Sequence, residues 1–479
     1  MTTTPSDPSS VGSAAHPADE TEARLVDTIA ADFSGSVADL ARLVRIPSVS
    51  WDGFDPEHVA TSATAIAALA ESTGVFESVS IERVAVTPGE DALGQPAVLA
   101  RRPARGGAPT VLLYAHHDVQ PEGDEALWQS PPFEPTVRGD RLYGRGASDD
   151  KAGVMTHIAA LRALNQVHGD DFDLGVVLFV EGEEEFGSRS FGNFLATHRD
   201  TLAADVIVVA DSDNWDTATP ALTVSLRGNV TFVLTVSTLD HASHSGMFGG
   251  AAPDAMLATI RLLSTLWNED GTVAVDGLTS YSAIDAPHYK PELFREEAAL
   301  LDGVEPLGGG DLYSQMWFRP AITVTGIDAP TVRNASNTLS PQIRVRISAR
   351  IAPGQRAADA LVALRSHLEK NAPFGAHLAF DDIDAGDPFL VDTGSAAFRL
   401  ASRALADGWG AETVEQGIGG SIPFIAQLVE TFPDAQILVT GVEDPDTRAH
   451  SPNESQHLGV LKRAITGEAL LLHRLAGGS

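Results

Sequence analysis

The stretch Val111–Pro121, VLLYAHHDVQP, ends an apolar run with two imidazoles and a carboxylate. Val111–Ala115 reads as a buried strand: short, β-rich and followed by the turn residue Pro121. Side chains alternate along a strand, so His116 and Asp118 share a face while His117 points the other way. A carboxylate beside an imidazole fixes its tautomer and raises its basicity, as a metal-ligating histidine requires. The carboxyl ends of strands in an α/β sheet are where such a site lies. For this tripeptide alone, a surface histidine beside a loop aspartate is the plainer alternative.

The same pattern recurs along the chain. The apolar run Leu174–Val180 leads into Glu181-Gly182-Glu183-Glu184-Glu185, where three consecutive carboxylates repel one another unless solvated or neutralised by a cation. The strand Asp205–Ala210 ends in Asp211-Ser212-Asp213-Asn214, and the strand Ala435–Thr440 is followed by GVEDPDTRAHSPNE, which contains His450. Between them, Asp149-Asp150-Lys151 opens a helix reaching about Leu164. An aspartate at a helix start caps it, yet two adjacent aspartates exceed what capping needs. His157, among apolar residues on that helix, reads as packed rather than ligating.

Four strand ends thus supply His116 with Asp118, Glu184 with Glu185, Asp213, and His450, and a helix start adds Asp149. The chain has no cysteine, which excludes disulfides, thiolate nucleophiles and Cys-ligated zinc or iron–sulfur clusters. Oxygen and imidazole donors without sulfur suit a pair of Zn²⁺, Mn²⁺ or Co²⁺ ions better than Ca²⁺. A paired site needs one carboxylate to bridge and another free to take a proton from water. With Glu184 and Glu185 adjacent, one can ligate while the other faces the water.

The elements that must position these groups follow from the 479-residue chain. Helical periodicity covers residues 21–45 and 56–73, strands are expected at Ser78–Val86 and Ala97–Ala100, and α/β alternation runs to about 221. The region 221–383 changes style, with strands at Leu222–Val224, Asn229–Ser237 and Gln342–Ile351 and helices near 253–267 and 357–370, an α+β insert. Residues 300–311 read as a loop. After 393 the α/β style returns, ending in a helix at 458–475. The Ser/Thr/Pro/Ala-rich start, residues 1–20, reads as a disordered tail without a secretory signal. Lysine and arginine total 32 against 65 aspartates and glutamates, a net charge of −33 that argues against nucleic acid or an anionic membrane as partner. No apolar run approaches the roughly 18 residues of a membrane span, so a cytoplasmic protein is expected.

The blocks HHDVQP, YGRGASDDKAG, VEGEEEFGS, ADSDNW, HSGMFGG, GGSIP and TRAHSPNE, in this order and spanning nearly the whole chain after the tail, resemble the signatures of a co-catalytic zinc metallopeptidase family. Its members are carnosinase-type dipeptidases, aminoacylase and succinyl-diaminopimelate desuccinylase. The resemblance implies an α/β fold, a mixed-sheet catalytic domain with helices on both faces (21–221 and 393–479), interrupted by an α+β lid and dimerisation domain (222–392). It implies roles too. His116 and Asp213 would hold one ion, Glu185 and His450 the other, and Asp149 would bridge them, through a cis peptide to Asp150. Asp118 would orient His116 and Glu184 would be the general base. Three glutamates stand where the family shows two, so a register at Glu183-Glu184 is the alternative. His244, in the lid, would reach the partner subunit's site and stabilise the oxyanion, with His241 a structural neighbour. Arg350 would hold the substrate's C-terminal carboxylate, its alternative being a strand-edge salt bridge. Asn337 would contact the oxyanion or substrate carbonyl, and Gly419, Gly420 and Ser421 a backbone-rich wall. The family's carnosinase-like members carry a histidine in the lid's final strand region; here that stretch reads DDIDAGDPF, with His377 nearest.

The expected activity is hydrolysis of dipeptides or similar short substrates with a free C-terminal carboxylate, by a metal-activated water and a glutamate base, in a homodimer. The alternative is an N-acyl-amino-acid or succinyl-diaminopimelate deacylase on the same centre. A non-catalytic scaffold would have lost site residues, and none is lost. A Ser-His-Asp hydrolase is disfavoured because no G-x-S-x-G occurs.

Overall fold

Along Thr110–His116 the side chains of Val111, Leu113 and Ala115 enter one apolar core, while Leu112 and Tyr114 enter another on the opposite face. That alternation marks a strand covered on both sides. The computed structural model describes residues 20–169, 171–281, 289–420 and 423–477. The tail expected to be disordered falls outside them, up to residue 19.

The central sheet has nine strands: β1 (Ser78–Glu82), β2 (Ala97–Arg102), β3 (Thr110–His116), β4 (Gly175–Glu181), β5 (Val206–Val209), β6 (Ala221–Leu226), β11 (Phe389–Leu390), β12 (Val414–Ile418) and β13 (Gln436–Thr440). Their order is β1-β2-β4-β3-β5-β13-β6-β11, with β12 alongside β6. The run β4-β3-β5-β13 is parallel, whereas β1, β2, β6 and β11 join antiparallel neighbours, so the sheet is mixed. The carboxyl ends of four contiguous parallel strands therefore lie along one edge.

Helices α1 (Glu20–Val44), α2 (Pro56–Ser72), α3 (Lys151–His168), α6 (Ala396–Trp409) and α7 (Leu458–Leu475) bury apolar residues in the core on one face. On α6 these are Ala397, Phe398, Ala401, Ala404 and Leu405, the three-four spacing of an amphipathic helix, and Gly410 ends it at φ 70°. Short helices at Phe191–Thr197 and Pro423–Thr431 cover the other face through Phe191, Phe194, Phe424 and Leu428. Each fully buried leucine contributes roughly 1.5–3 kcal/mol. No helix among the described residues is long and apolar enough to cross a membrane.

A second, antiparallel sheet has the order β8-β9-β7-β10, from β7 (Gly228–Ser237), β8 (Ala321–Asp328), β9 (Gln342–Ile351) and β10 (His377–Gly386). Helices α4 (Ala255–Leu263) and α5 (Ala357–Lys370) pack on it through Ala258, Leu262, Ala360 and Leu364. The segment Leu222–Val224, expected in the insert, belongs to the central sheet: β6 pairs with β13, and the second sheet starts at Gly228. Leu222 and Val224 join the central core, and an apolar strand buried on both faces looks alike in either sheet. Strands β8 and β10 lacked a clear sequence signal, because both are edges and their exposed positions, such as Asp381, Asp382 and Asp384, interrupt the apolar alternation.

Candidate metal centre

At the carboxyl edge of β3, Asp118 is fully buried and engaged on every side. Its Oδ1 accepts from Glu184 N at 3.1 Å and its Oδ2 from Glu185 N at 3.0 Å and from Ser50 Oγ at 2.7 Å. Oδ1 also stands 3.4 Å from His116 Nδ1, which lies 3.1 Å from the Asp118 carbonyl. One residue thus aims His116 Nε2 outward and seats the Glu184-Glu185 turn beside it. His117 points the other way, its Nε2 2.9 Å from Pro96 O, and burial pushes its pKa down to about 4.

Asp149 lies between two imidazoles. Its Oδ1 is 3.1 Å from His116 Nε2 and its Oδ2 is 2.9 Å from His450 Nε2. Glu184 Oε2 and Asp211 Oδ1 approach His116 Nε2 at 4.0 and 3.8 Å, and Glu185 Oε2 approaches His450 Nε2 at 3.3 Å. Donors 2.0–2.2 Å from a tetrahedral zinc stand roughly 3.4 Å apart, so these separations fit two subsites, His116–Asp149–Asp211 and Asp149–Glu185–His450. The ligand atoms of the latter all lie within 4.8 Å of one another. Asp150 is close to His116 and Asp211, but its Oδ2 holds His116 N at 3.1 Å and its Oδ1 caps α3 through Gly153 N at 3.1 Å. It is the cap, and Asp149 is the projecting acid. The peptide between them is cis, as the resemblance implied. Gly153 is required there: a Cβ would lie 2.3 Å from Ala210 O.

Asp213 is not in this cluster; Asp211 is. Asp213 has passed the sheet edge and pairs with Glu443 in an isolated bridge, where their carboxyls meet. Gly441 permits this approach, since a Cβ there would lie 2.4 Å from the Asp213 backbone. The glutamate register is equally plain. The Glu183 carboxylate is turned away and taken up by Ser190 N at 2.7 Å, Gln95 N at 3.2 Å and Ser190 Oγ, leaving Glu184 and Glu185 at the cluster.

The electrostatics are those of a cation site. Burial, then neighbouring carboxylates, pushes Glu184, Glu185 and Asp211 up, Asp211 to about 6. Burial opposes a charge on His116, yet Asp118 and Asp149 raise it well above the usual imidazole value. Asp149, against its own burial, is held far below the carboxylate range by His116 and His450. Carboxylates this close are relieved of their mutual repulsion only by protons or cations.

His157 is packed: its Nδ1 is 2.9 Å from Glu468 and its Nε2 2.9 Å from Tyr114 O. His244 and Asn337 come together on a two-stranded ribbon, Ser243–His244 with Thr338–Leu339, where Ser245 N donates to Asn337 O at 2.9 Å. Both are exposed, and neither bonds to the cluster among the described residues. Arg350, near the end of β9, lies beside Arg227, whose Nε donates to Gly419 O at 2.8 Å. Burial, and then Arg350, pushes Arg227 down to about 10. Gly420 adjoins them in sequence; Ser421 lies outside the described residues. Arg227 carried no sequence signal beyond its place at a strand end before a glycine. Glu454 and Gln120, whose Nε2 donates to Glu185 Oε2 at 2.7 Å, are further residues around the cluster that the motifs did not single out.

An α/β sheet that gathers imidazoles and carboxylates into two adjoining candidate subsites, with an inserted second sheet carrying exposed polar groups, is the layout of a metal-dependent hydrolase. The model of peptidase family M20/M25/M40 matches residues 112–474, and the chain belongs to that family. It is 36% identical over 371 residues to the cysteinylglycine-S-conjugate dipeptidase of Corynebacterium striatum, covering 77% of this chain and 81% of that one. The β-Ala-His dipeptidase of Rattus norvegicus is 28% identical over 403 residues, 79% of each chain. The solved structure of the dipeptidase Dug1p from Saccharomyces cerevisiae superposes with a TM-score of 0.74 at 20% identity, over 95% of this chain and 98% of that one.

Proposed function

We propose that this metal-dependent hydrolase cleaves the amide bond of dipeptides with a free C-terminal carboxylate, and that its two ions are zinc. The observation that carries the reading is the split of Asp149, one oxygen toward His116 and the other toward His450. His116, Asp149 and Asp211 would hold one ion; Asp149, Glu185 and His450 the other. When bound, the pair polarises the scissile carbonyl and lowers the pKa of water.

The remaining work falls to the protein. Glu184, raised by burial and held by Asp118 through its backbone, takes the proton from the attacking water and returns it to the leaving amine. Arg350, with Arg227 beside it, provides cationic forks for the terminal carboxylate. Gly419 lines that end, its carbonyl fixed by Arg227, and Gly420 follows it in the chain. His244 and Asn337 serve the site of a second copy, since both are exposed on the insert and remote in bonding from their own cluster. The His244 Nδ1 accepts from Gly246 N at 3.0 Å, which makes Nε2 the donor a developing oxyanion needs. The insert, from β7 at Gly228 to the end of β10 at Gly386, is then lid and dimerisation domain, and the enzyme works in the cytoplasm as a homodimer.

The test is metal analysis with turnover of a dipeptide panel before and after chelation, beside N-acylated counterparts. Two ions per chain and chelation-sensitive cleavage of free dipeptides are expected. Preference for N-acyl substrates would make the protein a deacylase instead.

A further inference from the structure

Residues 144–149 run irregularly between a strand and α3, with Gly144, Arg145, Ala147, Ser148 and Asp149 all buried. Buried amides need acceptors, and here Glu454 supplies four of the six, three through its carboxylate and one through its carbonyl. Glu454 Oε2 accepts from Gly146 N at 3.0 Å and from Arg145 Nη1 at 2.6 Å. Its Oε1 accepts from Ser148 N at 3.1 Å and from Asp149 N at 3.2 Å. The Glu454 carbonyl takes Gly144 N at 3.0 Å, and Ser148 Oγ donates to Gln456 Oε1 at 2.7 Å. Neither Glu454 nor Arg145 reaches solvent, at 0% and 2% exposure.

A buried ion pair is a poor device for stability alone, because desolvation cancels most of the attraction. This pair has a geometric consequence. Glu454 stands four residues after His450, on a loop pinned by Asn453, which accepts from Gln129 N at 2.8 Å and donates to Leu127 O at 2.9 Å. Its carboxylate therefore locks the backbone that projects Asp149 to the loop that carries His450. These are the two ends of one subsite, and Asp149 must be held against the surrounding acids before any cation arrives.

We propose that Glu454 is a positioning residue that presents Asp149 and His450 as a preformed pair for the second ion. This rests on the two-ion reading above. Glu454→Gln keeps the shape but turns an amide NH2 onto donors, so one pair of bonds is lost whichever way it rotates. Glu454→Asp keeps the charge but falls about 1.5 Å short. Glu468→Gln, at another buried carboxylate, on α7 and bonded to His157, is the control for general loosening.

The experiment is calorimetric titration of metal-stripped protein with zinc, alongside thermal melts without metal. The weaker zinc step is expected to fall roughly 10–100-fold in Glu454→Gln, and by less in Glu454→Asp, while Glu468→Gln keeps wild-type affinity even where its melt drops as far. Should Glu454→Gln not fold, the comparison rests on Glu454→Asp. Two ions bound with unchanged affinity in the Glu454 variant that folds overturn the proposal alone. Wild-type protein that takes up no zinc overturns the two-ion reading, and this proposal with it.

Discussion

Asp118 shows how one buried carboxylate separates its neighbours: it orients His116 and, through two amides, sets Glu184 toward His116 while Glu185 faces His450. Glu184→Ala should therefore lower kcat by about 10²–10⁴-fold with two ions still bound, as plasma emission analysis would count them. Loss of an ion would make Glu184 a ligand and move the base elsewhere. The pair Asp211 and Asp213 gives a sharper contrast. Asp211→Asn should weaken zinc binding by about 10-fold or more, because it removes an anionic donor beside His116. Asp213→Asn should leave zinc affinity near wild type, since that carboxyl is turned to Glu443. Titration calorimetry of both variants decides it, and the reverse outcome would restore the ligand first expected from the motif.

The secondary elements explain that contrast and what could be read in advance. In Asp211-Ser212-Asp213 both acids fall on the same face of an extended chain, so parity could not choose between them. The choice is made by where β5 stops, at Val209, which leaves Asp211 at the edge and carries Asp213 onward to Glu443. Long periodic elements were legible: β9 at Gln342–Ile351, α5 at Ala357–Lys370 and α7 at Leu458–Leu475 occupy the residues their patterns predicted. Membership of β6 in a particular sheet was not, because pairing is a long-range property. Nor was the part played by Glu454, which closes the block TRAHSPNE but stands 305 residues from the Asp149 amide it holds. Between elements, His157 on α3 joins Glu468 on α7 and the Tyr114 carbonyl on β3. Burial opposes its charge, but Glu468 overcomes this and raises its pKa above 6.5. A raised folded value means the ion pair contributes fully below the unfolded pKa near 6.5 and fades as pH climbs through the folded one. His157→Gln should accordingly destabilise by on the order of 3 kcal/mol at pH 6, with the gap to wild type narrowing at pH 9 in paired denaturant melts. A gap that widens with pH would show the histidine neutral in the fold.

At the scale of the molecule the open question is why a histidine equipped to donate from Nε2 sits exposed on the insert, bonded to nothing in the metal cluster. On the insert Met247 and Phe248, just after His244, and Leu257 and Ile260 on α4 are 74, 50, 47 and 58% exposed, apolar surface that a second copy would cover. If each chain lends His244 to its partner, a site needs Glu184 from one chain and His244 from the other. His244→Ala alone should then lose activity about as a missing oxyanion donor does, roughly 10²–10³-fold in kcat. Glu184→Ala alone should also be inactive. Mixed after dissociation and reassociation, the two variants should regain activity, because the mixed dimer has one chain with Glu184 intact facing a partner with His244 intact. With two-fold symmetry and random pairing, half the dimers are mixed and one site in each works, so recovery approaches about a quarter of wild type. No recovery from a reassociated mixture, with dimers present by light scattering, would mean that His244 serves its own chain and that the insert must close over its own site.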